Sequence, residues 1–596
     1  MVQHAIHDND FALLLVESGL VLIAIAVAFS LRNPFSSFFQ RIERAAGRLA
    51  RRQGLACASV AATFLLLRLA LLPWFPAPLP YATDDFSFLL AADTFAHGRL
   101  ANPTPAMWTH FESIHITMHP TYASMYFPAP GLVMAAGKLL FGNPWAGILI
   151  SGALFCGAIC WMLQAWLQPG WALLGGVLAV LRIGLFSYWF NTFTGGATVS
   201  GLGGALILGA LPRLMRTAKI RYGVLMAVGM VLLATTRPFE GLLICIPVAG
   251  VLAHWVLFGK NRPSLAVLGR RAIAPALVIA AGLAFLGYYD YRAFGNAKTL
   301  PYTIQRSTYA MVPYYVWQPA HSVVYRNEEM KRFYLEGEAV SFKKLHSSHG
   351  FVSFYLTKID TTLLFFAGMA LLLPLIMMPR VFRDRRVRFL AWSAVFWAAG
   401  MGLGIYLIPH YLAPFTAGVY ALGLQAMRHL RAWKYQGNPV GRSLVRFTAA
   451  ICLVMAMLRV PAEALHIAPD QFPQAPWLCT WYGPGHFGTE RADVAAQLEQ
   501  IPGNHLVLVR YGPEHETNDE WVYNGADIDH ARIIWARAMS PAEDAELIRY
   551  YHDRNAWLVQ PDREQGRVMP YPGTDRPSVP EHTSLQLAIA EGTSTP

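Results

Sequence analysis

The stretch APGLVMAAGKLLFG, residues 129–142, is apolar apart from Lys138 and is bracketed by Pro128 and Pro144. How it is read decides the topology. A helix needs roughly 20 apolar residues to cross a bilayer, and this stretch has 14. Longer apolar runs occur near 11–29, 54–73, 145–167, 171–190, 198–212, 222–236, 239–258, 272–289, 360–378, 389–408, 411–428 and 446–462. Between them lie five basic loops, 30–53, 213–221, 260–271, 380–388 and 428–446, which hold 24 of the 48 Lys and Arg. If the twelve runs cross and 129–142 does not, all five loops share one side, as the positive-inside rule requires of cytoplasmic loops. Counting 129–142 as a crossing puts Arg213 and Arg216 outside. The stretch is therefore read as an interfacial or re-entrant helix.

The expected fold is mainly α: a polytopic transmembrane helical bundle of about twelve spans, with a small C-terminal periplasmic α/β domain. The expected location is a bacterial inner membrane, with the N-terminus and the tail in the periplasm. Composition agrees. The chain is 55% hydrophobic and only 14% charged, with a mean hydropathy of +0.34, whereas soluble domains carry about 25% charged residues. The net charge of +12 suggests nucleic acid at first, but its placement between apolar runs excludes that partner. The first run, Phe11 to Phe29, has Asp8 and Asp10 before it and Arg32 after it. That is the reverse of a cleavable signal, so it is expected to remain as a span. Five cysteines lie in apolar runs and only Cys479 in the tail, so no internal disulfide is expected there. Cys156 and Cys160 share a helix face with no His or carboxylate near in sequence, and packing is the reading rather than metal.

This divides the chain into an extra N-terminal span with a basic loop (1–53), a transmembrane domain (54–462), a periplasmic α/β domain (463–575) and a disordered tail (576–596). Two large external loops, 74–144 and 290–350, interrupt the transmembrane domain. In the tail, Arg491 to Gln500 reads as a helix, and His505 to Tyr511, Ile533 to Ala536 and Ala556 to Gln560 as strands. Ser540 reads as the N-cap of a helix with Pro541 at its first position.

Chemistry is expected where polar groups gather at the outer face. Asp84 and Asp85 follow the second span closely. Two adjacent carboxylates at an interface raise the pKa of at least one of them or hold a cation, and either suits a general base. They equally suit a helix N-terminus, with Thr83 or Asp84 as cap; both readings stay open. His110, His115 and His119 surround Glu112 but lack a zinc-binding pattern, and read as hydrogen-bonded histidines rather than ligands. Asn191, in an Asn/Gly turn, can orient a substrate. Arg237 and Glu240 frame a turn where a cation can bind phosphate or pair with the acid. His410 and Tyr411 read similarly, as phosphate contacts or an interfacial belt. Arg68 and Arg182 lie inside spans and must be paired or snorkelling. Asp519, Glu520, Asn524, Asp527 and Asp529 read as a turn-rich surface loop.

The first external loop resembles that of the GT-C superfamily of lipid-linked-sugar glycosyltransferases. The branch is that of the aminoarabinose transferases, protein O-mannosyltransferases and RgtA/B/C/D-like bacterial transferases. The resemblance is carried by Asp84–Asp85, Ala91–Ala92, Gly98, Asn102–Pro103, Phe127–Pro128, Phe141–Gly142 and Trp145–Ala146, and covers roughly 54–260. It implies transfer of a sugar from a polyprenyl-phosphate donor to a lipid, glycan or protein acceptor. Asp84 matches the catalytic acid, with Asp85 as neighbour or alternate. The branch often has a Lys before its Pro-rich turn, and here Ser124-Met125-Tyr126-Phe127-Pro128 has none. Arg237, Arg306, His410 and Tyr411 are then the candidates for donor phosphate, and His119, Tyr122, Tyr126, Asn191 and Glu240 for other substrate contacts. No metal ligand is assigned, because Asn191 stands where an acid is common, although a divalent cation stays open. The competing classes are a multi-span transporter, which would need mid-bilayer polar groups and repeat symmetry, and a non-catalytic membrane scaffold for envelope glycan assembly.

Overall fold

The computed structural model describes residues 11–194, 196–259, 262–468, 480–482, 487–563 and 567–574. Asp8 and Asp10, Cys479 and the tail beyond 574 lie outside them. Among the described residues, seven helices are long and apolar enough to cross a membrane: Ala12–Ser30, Gln53–Ala70, Trp145–Trp166, Ala197–Thr217, Pro238–Phe258, Leu265–Phe294 and Val440–Arg459. Each falls on one of the twelve expected runs. The other five runs form shorter or broken helices. Pro169–Gly184 ends in a π turn, and Ile220–Ala234 and Arg388–Gly402 have 15 residues each. Gly350–Ala367 carries Lys358 and Asp360 and stops at Gly368, whose φ of 52° breaks the helix. The run from 411 opens as a 3-10 segment, Pro409–Phe415, before Thr416–Arg431. Prolines and backbone irregularity shorten these elements where apolar composition alone extends them.

Pro128–Phe141 is a 14-residue helix, about 21 Å long at 1.5 Å per residue. Proline opens it and Gly142, at φ 74°, closes it. It lies against the next helix at glycine contacts: a Cβ on Gly137 would stand 2.3 Å from the Gly147 nitrogen, and one on Gly147 would stand 2.1 Å from the Val133 oxygen. Gly203 and Gly229 bring Ala197–Thr217 and Ile220–Ala234 together in the same way. Lipid gives helices little hydrophobic reason to associate, so close backbone approach at small residues does the work.

The tail forms a four-stranded sheet of order β4-β3-β5-β6, with β3 (His505–Val509), β4 (Ile533–Arg537), β5 (Asn555–Val559) and β6 (Val568–Pro570). The first three are parallel and β6 is antiparallel. Ser540 and Glu543 form a capping box on the helix Pro541–Tyr550 that joins β4 to β5. Both sheet faces are covered. Val507, Val509, Trp535 and Trp557 meet the Thr489–Gln500 helix. Leu506, Leu508, Ile534 and Ala536 meet Phe111, Ile116, Met118 and Tyr122 of the 74–144 loop, which carries the two-residue hairpin β1 (Ile116–Thr117) and β2 (Ala123–Ser124). Sheet and loop thus share one core. Burying each such Leu or Ile is worth about 2 kcal/mol.

Glu520 and Asn524 are not on a surface loop, being 4% and 5% exposed. Glu520 accepts Ser113 Oγ at 2.9 Å and Tyr511 Oη at 2.6 Å and lies 3.4 Å from Arg537. Asn524 pairs both ways with the Trp535 backbone. Charge and amide partners pull them inward. Arg68 and Arg182 are paired as expected. Arg68 donates to Asn191 and to the Phe75 and Pro76 carbonyls. Arg182 donates to Thr480 and the Leu364 carbonyl.

Candidate active-site cavity

A cavity of about 1730 Å³ opens between the first loop, the 290–350 loop, the ends of several apolar helices and the tail. The Thr83–Ala96 helix sets one wall. Ala82 is extended at its N-cap (ψ 151°), and Asp84 and Asp85 occupy the first turn, where the helix dipole favours negative charge.

The two acids have different surroundings. Asp85 is 2% exposed; it accepts Tyr81 N–H at 3.2 Å and Thr194 Oγ at 2.6 Å. Burial, outweighing these hydrogen bonds and helped by the Asp84 charge, raises its pKa to about 6. Asp84 faces the cavity. Its Oδ1 lies 2.7 Å from His115 Nδ1 and accepts the Tyr126 hydroxyl. Burial favours the acid form, but His115, His410 and Tyr126 together outweigh it and hold the carboxyl well below its ordinary range. The two adjacent acids are thus shifted in opposite directions.

His115 is held firmly. Its φ is +65°, uncommon for a residue with a side chain. Its carbonyl accepts Ser87 Oγ at 2.6 Å, and Thr83 Oγ lies 3.1 Å from Nδ1. With Nδ1 engaged, Nε2 is the nitrogen left for a ligand. Tyr126 stacks on Phe88 at 4.1 Å and 8°.

Arg237 and His410 line the cavity with this acid. Arg237 is 4% exposed. Its guanidinium sits 4.3 Å from the Tyr411 ring centroid and 3.8 Å from Glu240 Oε1. Its Nη2 makes no hydrogen bond among the described residues. A buried guanidinium N–H without a partner costs free energy unless a ligand accepts from it. His410 Nδ1 lies 2.9 Å from Tyr188 Oη, which also accepts the His410 backbone N–H. Burial and the Arg237 charge push the imidazole well below its usual pKa, against the pull of Asp84.

Asp84, Asp85, Tyr126, Asn191, Arg237, Glu240, Arg306, His410 and Tyr411 all line the cavity. Two of these are already committed to protein partners. Arg306 donates to Glu338 at 2.7 Å and to the Val312 carbonyl. Asn191 accepts from Arg68 and donates to two backbone carbonyls. His119 and Tyr122 are elsewhere. His119 is exposed, with Trp108 edge-on to it at 4.7 Å, and Tyr122 is buried in the loop–sheet core, donating to the Asn524 carbonyl. The three loop histidines do not converge: His110 bonds the Arg537 carbonyl in the core.

No family model and no curated protein matches the sequence. Among solved structures, the chain is similar to ArnT and to an archaeal oligosaccharyltransferase. Against ArnT from Cupriavidus metallidurans in the apo state, identity is 16%, coverage 84% of this chain and 93% of that one, and the TM-score 0.43. The same protein bound to undecaprenyl phosphate gives 15%, 84%, 92% and 0.44. The Archaeoglobus fulgidus oligosaccharyltransferase complexed with zinc and sulfate gives 11%, 85%, 67% and 0.43.

Sequence reasoning passed over several cavity residues. His115 reads in sequence as a hydrogen-bonded histidine with no partner named, because that partner stands 31 positions earlier in the chain. Thr194 and Tyr188 carry no motif at all. The tail loop is the largest omission: His515, Glu516, Thr517 and Asn518 line the cavity, brought there by the bridge between Ala82 and Asp519.

Proposed function

We propose that the chain is a membrane glycosyltransferase that moves a sugar from a polyprenyl-phosphate donor to an acceptor at the outer membrane face. Its twelve apolar runs cross, with the N-terminus, the cavity and the tail outside. The observation that carries this reading is one cavity holding both a carboxylate, Asp84, and a buried guanidinium with an open N–H, Arg237. Cavities for small ligands occupy about 300–1,000 Å³. The larger space here suits a lipid-linked sugar together with its acceptor.

The reaction is a displacement. The acceptor's O–H or N–H attacks the anomeric carbon, and its proton passes to the Asp84–His115 pair. The bond from that carbon to the phosphate oxygen breaks, and polyprenyl phosphate leaves with the electron pair. Arg237 faces the charge that develops on the leaving phosphate. A charge that needs no reorganisation at the moment of reaction is the larger part of such catalysis, and holding both substrates in one cavity adds to it.

The acid pair does not fit a divalent ion. Asp85 is satisfied by protein donors and Asp84 Oδ1 by two more, which leaves one carboxylate oxygen of the pair. No step is routed through a metal.

The test compares membranes of a strain lacking the chain, complemented with the parent or with Asp84→Asn. The parent should restore transfer and consume an accumulated polyprenyl-phosphate sugar. Asp84→Asn, expressed equally, should leave that sugar accumulated. Turnover at the parental level by Asp84→Asn would refute the assignment.

A further inference from the structure

The helix Ser36–Arg51 links two candidate membrane spans, Ala12–Ser30 and Gln53–Ala70. At 100° per residue, Phe35, Phe38, Phe39, Ile42, Ala46 and Leu49 fall on one side, and Arg41, Arg44, Arg48 and Arg51 on the other. The apolar side is only partly used by the protein. Phe39 packs on Phe447 at 6.3 Å, and Ala46 and Leu49 meet the bundle core. Phe35, Phe38 and Ile42 remain 66%, 60% and 50% exposed.

The helix cannot swing to cover these side chains. Glu43 ties it to the bundle through Arg431 and Arg446, each at 3.0 Å. That is its only acid, and it points away from the arginines. Arg41, Arg44, Arg48, Arg51 and Arg52 are exposed and form no ion pair among the described residues. Arg44 donates only to a carbonyl of its own helix. The result is a fixed row of large apolar side chains beside five uncompensated positive charges, at the level where two spans leave the membrane. A surface of apolar row and basic row suits the boundary between acyl chains and anionic headgroups.

We propose that Ser36–Arg51 is a binding surface for acidic phospholipid. Phe35, Phe38 and Ile42 sit among the upper acyl chains, and the arginines hold headgroup phosphates. The proposal is independent of the transfer reaction.

The full-length protein in neutral detergent is titrated with phosphatidylglycerol or phosphatidylcholine in mixed micelles. Bound lipid is counted by native mass spectrometry, and the thermal unfolding midpoint is followed in parallel. Phosphatidylglycerol should be retained and phosphatidylcholine not, with free glycerol phosphate failing to compete. The variant R41Q/R44Q/R48Q/R51Q should lose about tenfold or more in affinity. A control of equal charge change, R380Q/R383Q/R385Q/R386Q, should bind as the parent does. F38S/I42S keeps every arginine and should also weaken binding. Equal binding of the two lipids would overturn the proposal. So would parental affinity in the helix variant or in F38S/I42S, competition by free glycerol phosphate, or an equal loss in the control.

Discussion

His115 Nδ1 lies 2.7 Å from Asp84 Oδ1 at the wall of the cavity. The carboxylate holds the imidazole through Nδ1. In the proposed reaction Asp84 keeps its charge and His115 moves the proton, because Asp84 is held well below its ordinary pKa. A carboxylate so stabilised is a weak base by itself.

His115→Gln should therefore lower kcat by about a hundredfold, within the range general bases contribute, while leaving the donor KM near the parental value. The measurement is initial rate against donor concentration in purified membranes. A parental kcat would remove His115 from proton transfer and return that role to Asp84.

Asp85 makes stability depend on pH in a stated direction. Its folded pKa of about 6 exceeds the ordinary 3.8, so the folded state binds the proton more tightly than the unfolded one. The group's contribution is full below pH 3.8 and is lost as pH rises through 6. The difference amounts to about 3 kcal/mol at roughly 1.36 kcal/mol per pH unit. Thermal unfolding of the detergent-solubilised protein between pH 5 and 7.5 (about the span over which the group titrates) should show a falling midpoint. Asp85→Asn should flatten that slope.

Arg237→Gln should raise the donor KM about tenfold or more, because a charged hydrogen bond to phosphate is worth roughly 1.5–3 kcal/mol. Arg237→Lys should recover only part of this. Lysine keeps the charge but loses the planar fork that stacks on Tyr411. Equal KM values for parent and Gln variant would place the phosphate elsewhere.

Gly204 holds the segment that carries His410. A Cβ there would lie 1.7 Å from the Pro414 carbonyl oxygen, a backbone atom that cannot turn aside. Gly204→Ala should cost about 1–3 kcal/mol or more by overpacking and displace Pro409–Phe415. The expected readout is a lower unfolding midpoint together with a lower kcat. Gly170→Ala, where nothing lies within 4 Å, should change neither.

The elements of the tail were legible in the sequence because short apolar runs bounded by polar turns leave little choice of period. The strands fall at 505–509, 533–537 and 555–559, close to where they are expected, and only β6 escaped, being three residues long and led by no apolar run. Span lengths were less legible. A window of apolar residues reports solubility in lipid, not where Gly368 or the prolines of 409–414 interrupt the hydrogen-bond ladder. The acid pair was visible, but its electrostatics were not, since the ionisation of Asp84 depends on His115 and Tyr126, and that of Asp85 on its burial.

What the sequence determined unaided is a chain rich in apolar helices and the position of its adjacent acid pair: hydrophobic length, basic loops and Asp84–Asp85 follow from composition and order along the chain, which act locally. The tertiary structure decided the separate surroundings of the two acids, that Arg306 is paired with Glu338 and Asn191 with Arg68, and that the tail closes one side of the site. Burial and pairing across tens or hundreds of residues set those outcomes, and neither quantity exists until the chain has folded.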